Sequence, residues 1–102
     1  MGGMRIISRK TLRQFWERPQ YADSEQPLRA WFREASRADW KIPADVKANF
    51  RTASILKSNR VVFNIAGNKY RLVVRINFAY GVVYIRFVGT HAHYDRIDAS
   101  EV

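Results

Sequence analysis

The chain has 102 residues, of which 47% are hydrophobic and 14% aromatic, and its 18 basic and 9 acidic side chains leave a formal charge of +9. That length suits one domain. The absence of cysteine excludes disulfides, thiolate metal sites and cysteine nucleophiles. No apolar run is long enough to span a membrane. The N-terminus lacks the apolar stretch of a signal peptide, so a cytoplasmic protein is expected. Met1-Gly2-Gly3 reads as a vector remnant ahead of a single domain over residues 4–102.

Thirteen of the 18 basic residues are arginine, whose planar fork grips phosphates and carboxylates in a bidentate way that lysine cannot. Residues 1–60 carry 13 basic and 6 acidic side chains, and residues 61–102 carry 5 and 3. A polyanion or an acidic protein partner is expected.

In chain order, Arg5-Ile6-Ile7 is a short extended opening. Ser8 is placed to cap a first helix, in which Leu12, Phe15 and Trp16 recur at helical spacing. Pro19 ends it. Ser24 is placed to cap a second helix, with Pro27 tolerated in its first turn and Leu28, Trp31, Phe32 and Ala35 on the buried face. Arg29, Arg33 and Arg37 form a stripe on another face, either plain solvated surface or a dock for an acidic partner. Around Pro43 a short helical turn is expected to bring Val46 and Phe50 inward.

From Arg60 the apolar period falls to two, which predicts three strands near 60–65, 69–78 and 82–88. Gly67-Asn68 and Ala79-Tyr80-Gly81 mark the turns, so both connections read as antiparallel hairpins. Alternation assigns Val61, Phe63, Ile65, Tyr70, Leu72, Val74, Ile76, Phe78, Val83, Ile85 and Phe87 to one face, under the helices. Arg60, Asn64, Lys69, Arg71, Arg75, Asn77, Tyr84 and Arg86 fall on the other, which is read as solvated. A polar outer face is ordinary for an antiparallel sheet. Like charges at neighbouring cross-strand positions repel, however, unless an anion binds between them. Tyrosine among arginines also suits nucleic acid, because bases stack on aromatic rings and guanidinium planes.

Both histidines lie in the run Gly89-Thr90-His91-Ala92-His93-Tyr94-Asp95-Arg96, just after the last strand. Cleaving RNA without a metal needs a group to take the 2′-OH proton, cations to stabilise the phosphate and an acid for the departing 5′-oxygen. Histidine or tyrosine suits the first and last roles, and arginine the second. His91, His93 and Asp95 make only a weak metal-ligand set, so no metal or cofactor is expected. Glycine-rich phosphate loops, helical zinc-binding motifs and nucleophile elbows are missing from the sequence.

From about Met4 to Asp98 the chain resembles HigB-type toxins of the RelE superfamily. The resemblance rests on Trp40 with Pro43, Val62-Phe63-Asn64-Ile65, Gly67-Asn68-Lys69-Tyr70-Arg71-Leu72, Tyr84-Ile85-Arg86, and Gly89-Thr90-His91 followed by Tyr94-Asp95. It implies an α+β fold with two N-terminal helices packed on a twisted, mainly antiparallel sheet. It also implies an endoribonuclease that cuts messenger RNA, typically on the translating ribosome, and a helix-turn-helix, HigA-like antitoxin bound in a hetero-oligomer.

By the same resemblance Arg71 contacts the scissile phosphate and His91 is the leading acid or base. Arg86 is a second phosphate ligand, and Tyr94 stacks on a base or transfers a proton. Asp95 is expected to cap the next turn, with orienting His91 as the alternative. Lys69 and Arg75 guide RNA by charge, and Arg60, Lys57 and His93 complete the expected RNA-binding set. RelE carries lysines on the strand before the first hairpin, where this chain offers Arg60, Asn64 and the upstream Lys57. Arginine is a poor general base, so His91, His93 or a ribosome-assisted arrangement stays open for that role. No helix-turn-helix pattern occurs in the chain, and DNA contact is expected mainly through the antitoxin. The alternative function is a non-catalytic RNA- or ribosome-binding inhibitor of translation.

Overall fold

The computed structural model describes residues 3–102; Met1 and Gly2, part of the expected remnant, lie outside the described residues. Strand β1 (Arg5–Ile7) leads into α1 (Arg9–Trp16), a 3-10 segment (Pro19–Ser24), α2 (Glu25–Arg37) and α3 (Pro43–Asn49). Strands β2 (Ser54–Ile55), β3 (Arg60–Ile65), β4 (Tyr70–Asn77) and β5 (Val82–Thr90) follow, and a single turn, α4 (His91–Tyr94), comes after them. The five strands form one sheet in the order β1-β5-β4-β3-β2. Only β1 is parallel to its neighbour; the other pairings are antiparallel. The chain therefore has the α+β architecture expected of a RelE-like fold.

The helices form where the apolar spacing predicts them. Leu12, Phe15 and Trp16 of α1 and Leu28, Trp31 and Ala35 of α2 are buried, and Phe32 packs against them. Neither serine caps as expected. The Ser8 hydroxyl lies 3.4 Å from that of Thr11, and the Ser24 hydroxyl donates to the Tyr21 carbonyl at 2.7 Å. Ser24 already has helical backbone angles as the last residue of the 3-10 segment, so its side chain bonds backward and not into α2. In α3 the Asp45 carboxylate supplies the cap, accepting the N–H groups of Lys41 and Ile42 at 2.8 and 3.2 Å.

An aromatic group centres the core. Trp40 stacks on Phe63 with ring centroids 6.3 Å apart, and Trp31 and Phe50 meet Phe63 edge-on. The Trp40 indole donates to the Asn49 side chain at 2.8 Å, so its burial leaves no orphaned donor. In the first hairpin the two left-handed positions are Ala66 (φ 55°) and Gly67 (φ 69°), one residue earlier than Gly67-Asn68 suggests.

The second face of the sheet departs from expectation. The β4–β5 register pairs Val74 with Ile85 but Val73 with Phe87, so Arg86 is the extra residue of a β-bulge. The shift carries Phe87 off the helical side. It joins Val62, Val73 and Ala99 in a second apolar cluster with Leu56, Tyr94, Ile97 and Val102. The face read as solvated is instead partly roofed by the segment after α4. Arg60 fastens this roof, donating through Nε and Nη2 to the main-chain oxygen of Val102 at 3.1 and 2.8 Å.

Lys69 is also displaced from that face. Its ammonium bonds the Asp23 carboxylate, which also accepts the Tyr70 hydroxyl. The first hairpin is thus pinned to the 3-10 segment on the helical side, where Tyr21 stacks on Phe15 and Tyr70 meets both rings edge-on. The Lys69 hydrogen bond, then that of Tyr70, holds the Asp23 carboxyl below its ordinary value of 3.8. Burial and Asp23 together push the Tyr70 phenol up.

Two stability predictions follow from this packing. Val73→Ala should cost about 2 kcal/mol in denaturant unfolding, as for a core valine; a silent substitution would show that the second cluster is loose. A depressed folded-state pKa stabilises above the ordinary carboxylate range and loses that contribution as pH falls through the folded value. Thermal melts of Asp23→Asn should therefore lie below native at neutral pH. The gap should close as pH drops below 3.8.

Candidate active site

The last turns of the sheet bring the key side chains together. Arg71 lies on β4 opposite Asn64 of β3 and Gly89 of β5. Alternation points it away from the helices, because Tyr70 and Leu72 beside it are buried in the helical core. Its Nη1 donates to the carbonyls of Asn68 and Tyr70 at 3.2 and 3.4 Å. Its guanidinium carbon sits 5.9 Å from the centre of the Tyr94 ring. Among the described residues the other guanidinium N–H groups have no hydrogen-bond partner, which leaves them open to an anion.

Gly89 is small for a reason. A β-carbon there would come within 2.7 Å of the Phe87 ring and 3.3 Å of the His93 β-carbon. The Phe87 ring therefore leans across the strand beside Arg71, and only glycine leaves room for it. One residue later Thr90 caps α4, its hydroxyl accepting the His93 N–H at 3.1 Å. This cap sets the helical turn that carries His91 and Tyr94 three positions apart, on one side of it.

His91 is exposed, and its Nδ1 lies 3.2 Å from the Asp95 carboxylate. Of the two roles open to Asp95, this contact is the one that orients the ring. The adjacent cap is made elsewhere: Asp98 accepts both the N–H and the hydroxyl of Ser100, which hold its carboxyl below the ordinary value. With Nδ1 turned to Asp95, Nε2 is the free edge of the His91 ring.

The remaining candidates divide. Arg75 is exposed, paired with Tyr84 on one side and Arg60 on the other, and Arg86 is exposed at the bulge. Arg75, two residues along β4 from Arg71, does not share its strand pairings but extends its outward face. Lys57 shares a shallow groove with Tyr94, Ile97 and Asp98, and so approaches the site from beyond the roof. His93 diverges from His91 and lines a groove on the α1 side with Gln14, Arg18 and Tyr21. Lys69 is bound to Asp23, and Arg60 to Val102 and, through Nη1, to the Ser58 carbonyl at 2.9 Å. Among the described residues no three His, Asp or Glu side chains gather as a metal-ligand group.

Phe87 and Gly89 escaped the sequence reading as parts of the site. The crowding between them depends on the bulge, which leaves no mark in the alternation of β5. Gly-Thr-His itself was the available signal, since a glycine ending a strand implies a close approach.

Comparison with known proteins identifies the family. The model of the HigB toxin family, described as the RelE-like toxic component of a toxin–antitoxin system, matches residues 24–97. The mRNA interferase toxin HigB of Escherichia coli strain K12 is 32% identical over 98 residues, covering 94% of this chain and 92% of that protein. The mRNA interferases HigB of Escherichia coli O157:H7 and of Shigella flexneri match at the same 32% identity and the same coverage. The matched span includes both hairpins, Arg71 and the His91–Asp95 pair. This chain belongs to the HigB toxin family, the RelE-like toxic components of toxin–antitoxin systems.

Proposed function

We propose that this protein is an endoribonuclease that cleaves messenger RNA on the translating ribosome. The observation that carries the reading is the Arg71–Tyr94 contact on the turn that also presents His91 and Asp95. The mRNA-interferase names of the relatives support the substrate.

In this reaction the 2′-oxygen loses its proton to a base and attacks the neighbouring phosphorus. The bond from phosphorus to the 5′-oxygen breaks, and an acid protonates that oxygen. The products are a 2′,3′-cyclic phosphate and a free 5′-hydroxyl. Arg71 stabilises charge on the phosphate oxygens, and Arg86 binds an adjacent phosphate. His91 presents Nε2 for proton transfer while Asp95 holds its other nitrogen. Tyr94 offers its ring to a base and its hydroxyl to the proton path. Arg75 and Lys57 draw the strand in by charge. Lys69, Arg60 and His93 serve the fold and the neighbouring groove in this scheme.

The partner is a HigA-like, helix-turn-helix antitoxin held in a hetero-oligomer, through which any DNA contact is made. Translating ribosomes are met in the cytoplasm, where we put the protein.

Translation of a defined messenger in a purified system, with cuts mapped by primer extension, tests the reading. Codon-spaced cuts are expected only with ribosomes present. Arg71→Ala and His91→Ala should each lower the cutting rate about 100-fold or more. Intact messenger with stalled translation would make the protein a binding inhibitor and overturn the catalytic reading.

A further inference from the structure

The molecule carries a second concentration of arginine, on its helical side. Arg9 at the start of α1 and Arg29, Arg33 and Arg37 along α2 ring a shallow depression of about 290 Å³, completed by Phe32 and Ser36. The Arg9 guanidinium lies 5.7 Å from the centres of both the Trp16 and Phe32 rings, and that of Arg29 lies 4.9 Å from Trp16. These ring contacts hold two of the four cations in place before any partner arrives, which reduces the ordering cost of binding. Arg29 bonds Glu25 at 2.8 Å, but among the described residues no carboxylate lies within ion-pair distance of Arg9, Arg33 or Arg37. Four cations facing one anion repel one another, and an acidic ligand relieves that repulsion.

We infer that this depression docks an acidic segment of the antitoxin, with carboxylates on Arg33 and Arg37. Membership of a toxin–antitoxin family means that a protein partner exists, and a chain of net charge +9 is complemented by an acidic one. RNA fits the depression less well. The exposed faces of Trp16 and Phe32 are already covered by guanidinium groups, so no ring is free to stack a base. The depression also lies across the core from Arg71, so a partner seated there leaves the Arg71 face open. The inference rests on family membership and not on RNA cleavage.

The test compares the native toxin with the double variant Arg33→Glu/Arg37→Glu and the milder Arg33→Gln/Arg37→Gln. Both residues are exposed, and matched thermal melts check folding. Calorimetric titration with the purified cognate antitoxin at low and high salt reads the docking. Charge reversal should weaken capture about tenfold or more and neutralisation less, with both losses shrinking in high salt. Messenger cutting by the free variants should match native, and Asp or Glu→Lys changes in the antitoxin should rescue the reversed toxin. Antitoxin affinity within about twofold of native would overturn the inference. Unchanged capture with weakened ribosome binding would assign the patch to ribosomal RNA instead. If the native toxin cuts no messenger, the proposed function fails while the titration still reads the docking.

Discussion

A β-strand flanked on both edges has its backbone committed to its neighbours and only two directions left for side chains. β4 is such a strand, lying between β3 and β5. Tyr70, Leu72, Val74 and Ile76 enter the helical core, all at most 1% exposed. Burying that set outweighs any preference of the arginines between them, since each large apolar side chain contributes about 1.5–3 kcal/mol. Arg71 and Arg75 are therefore held outward by their neighbours and not by contacts of their own. A slip of one residue would put both cations in the core, which is why the register is unambiguous.

The same constraint leaves the second face with more apolar surface than one polar layer should have. Val62 and Val73 alternate outward with the arginines, and the residues after α4 fold back to cover them. Tyr94 serves both sides of this arrangement: it roofs the valines and meets the Arg71 guanidinium. The turn that bears His91 is thus tied into a small core of its own and is not a free loop. On the helical side, Asp23 pins Lys69 and Tyr70, so the hairpin that bears Arg71 is braced from the opposite layer as well.

Local patterns were readable and distant pairings were not. The apolar period located α1, α2 and the three long strands, and the observed β3 has the predicted limits of 60–65. The placement of Arg5-Ile6-Ile7 beside β5 depends on a partner far along the chain, and extended residues carry no sign of which strand they will meet. The bulge is invisible because Val83, Ile85 and Phe87 alternate perfectly in sequence. Ser24 looked like a cap because nothing in Pro19–Ser24 announces a 3-10 segment. Lys69 was placed among the outward cations, although its flexible stem reaches Asp23 on the other side. His91 and His93 looked like a pair on spacing alone. A single helical turn separates them, one beside Asp95 and the other toward α1.

The bulge at Arg86 gives β5 one residue more than its pairing with β4 needs, a slack in length that its composition does not show. Replacing Arg86 with another residue leaves the count of residues intact, so Phe87 still faces Val73 and Val88 still packs toward the helices. Removing that one extra residue would close the bulge into a regular ladder and leave the strand beyond it in register. Phe87 would stay opposite Val73, Val88 opposite Leu72 on the helical side, and Gly89 beside Arg71. Relatives that keep this site should therefore tolerate a deletion at the bulge far more readily than one between Phe87 and Gly89.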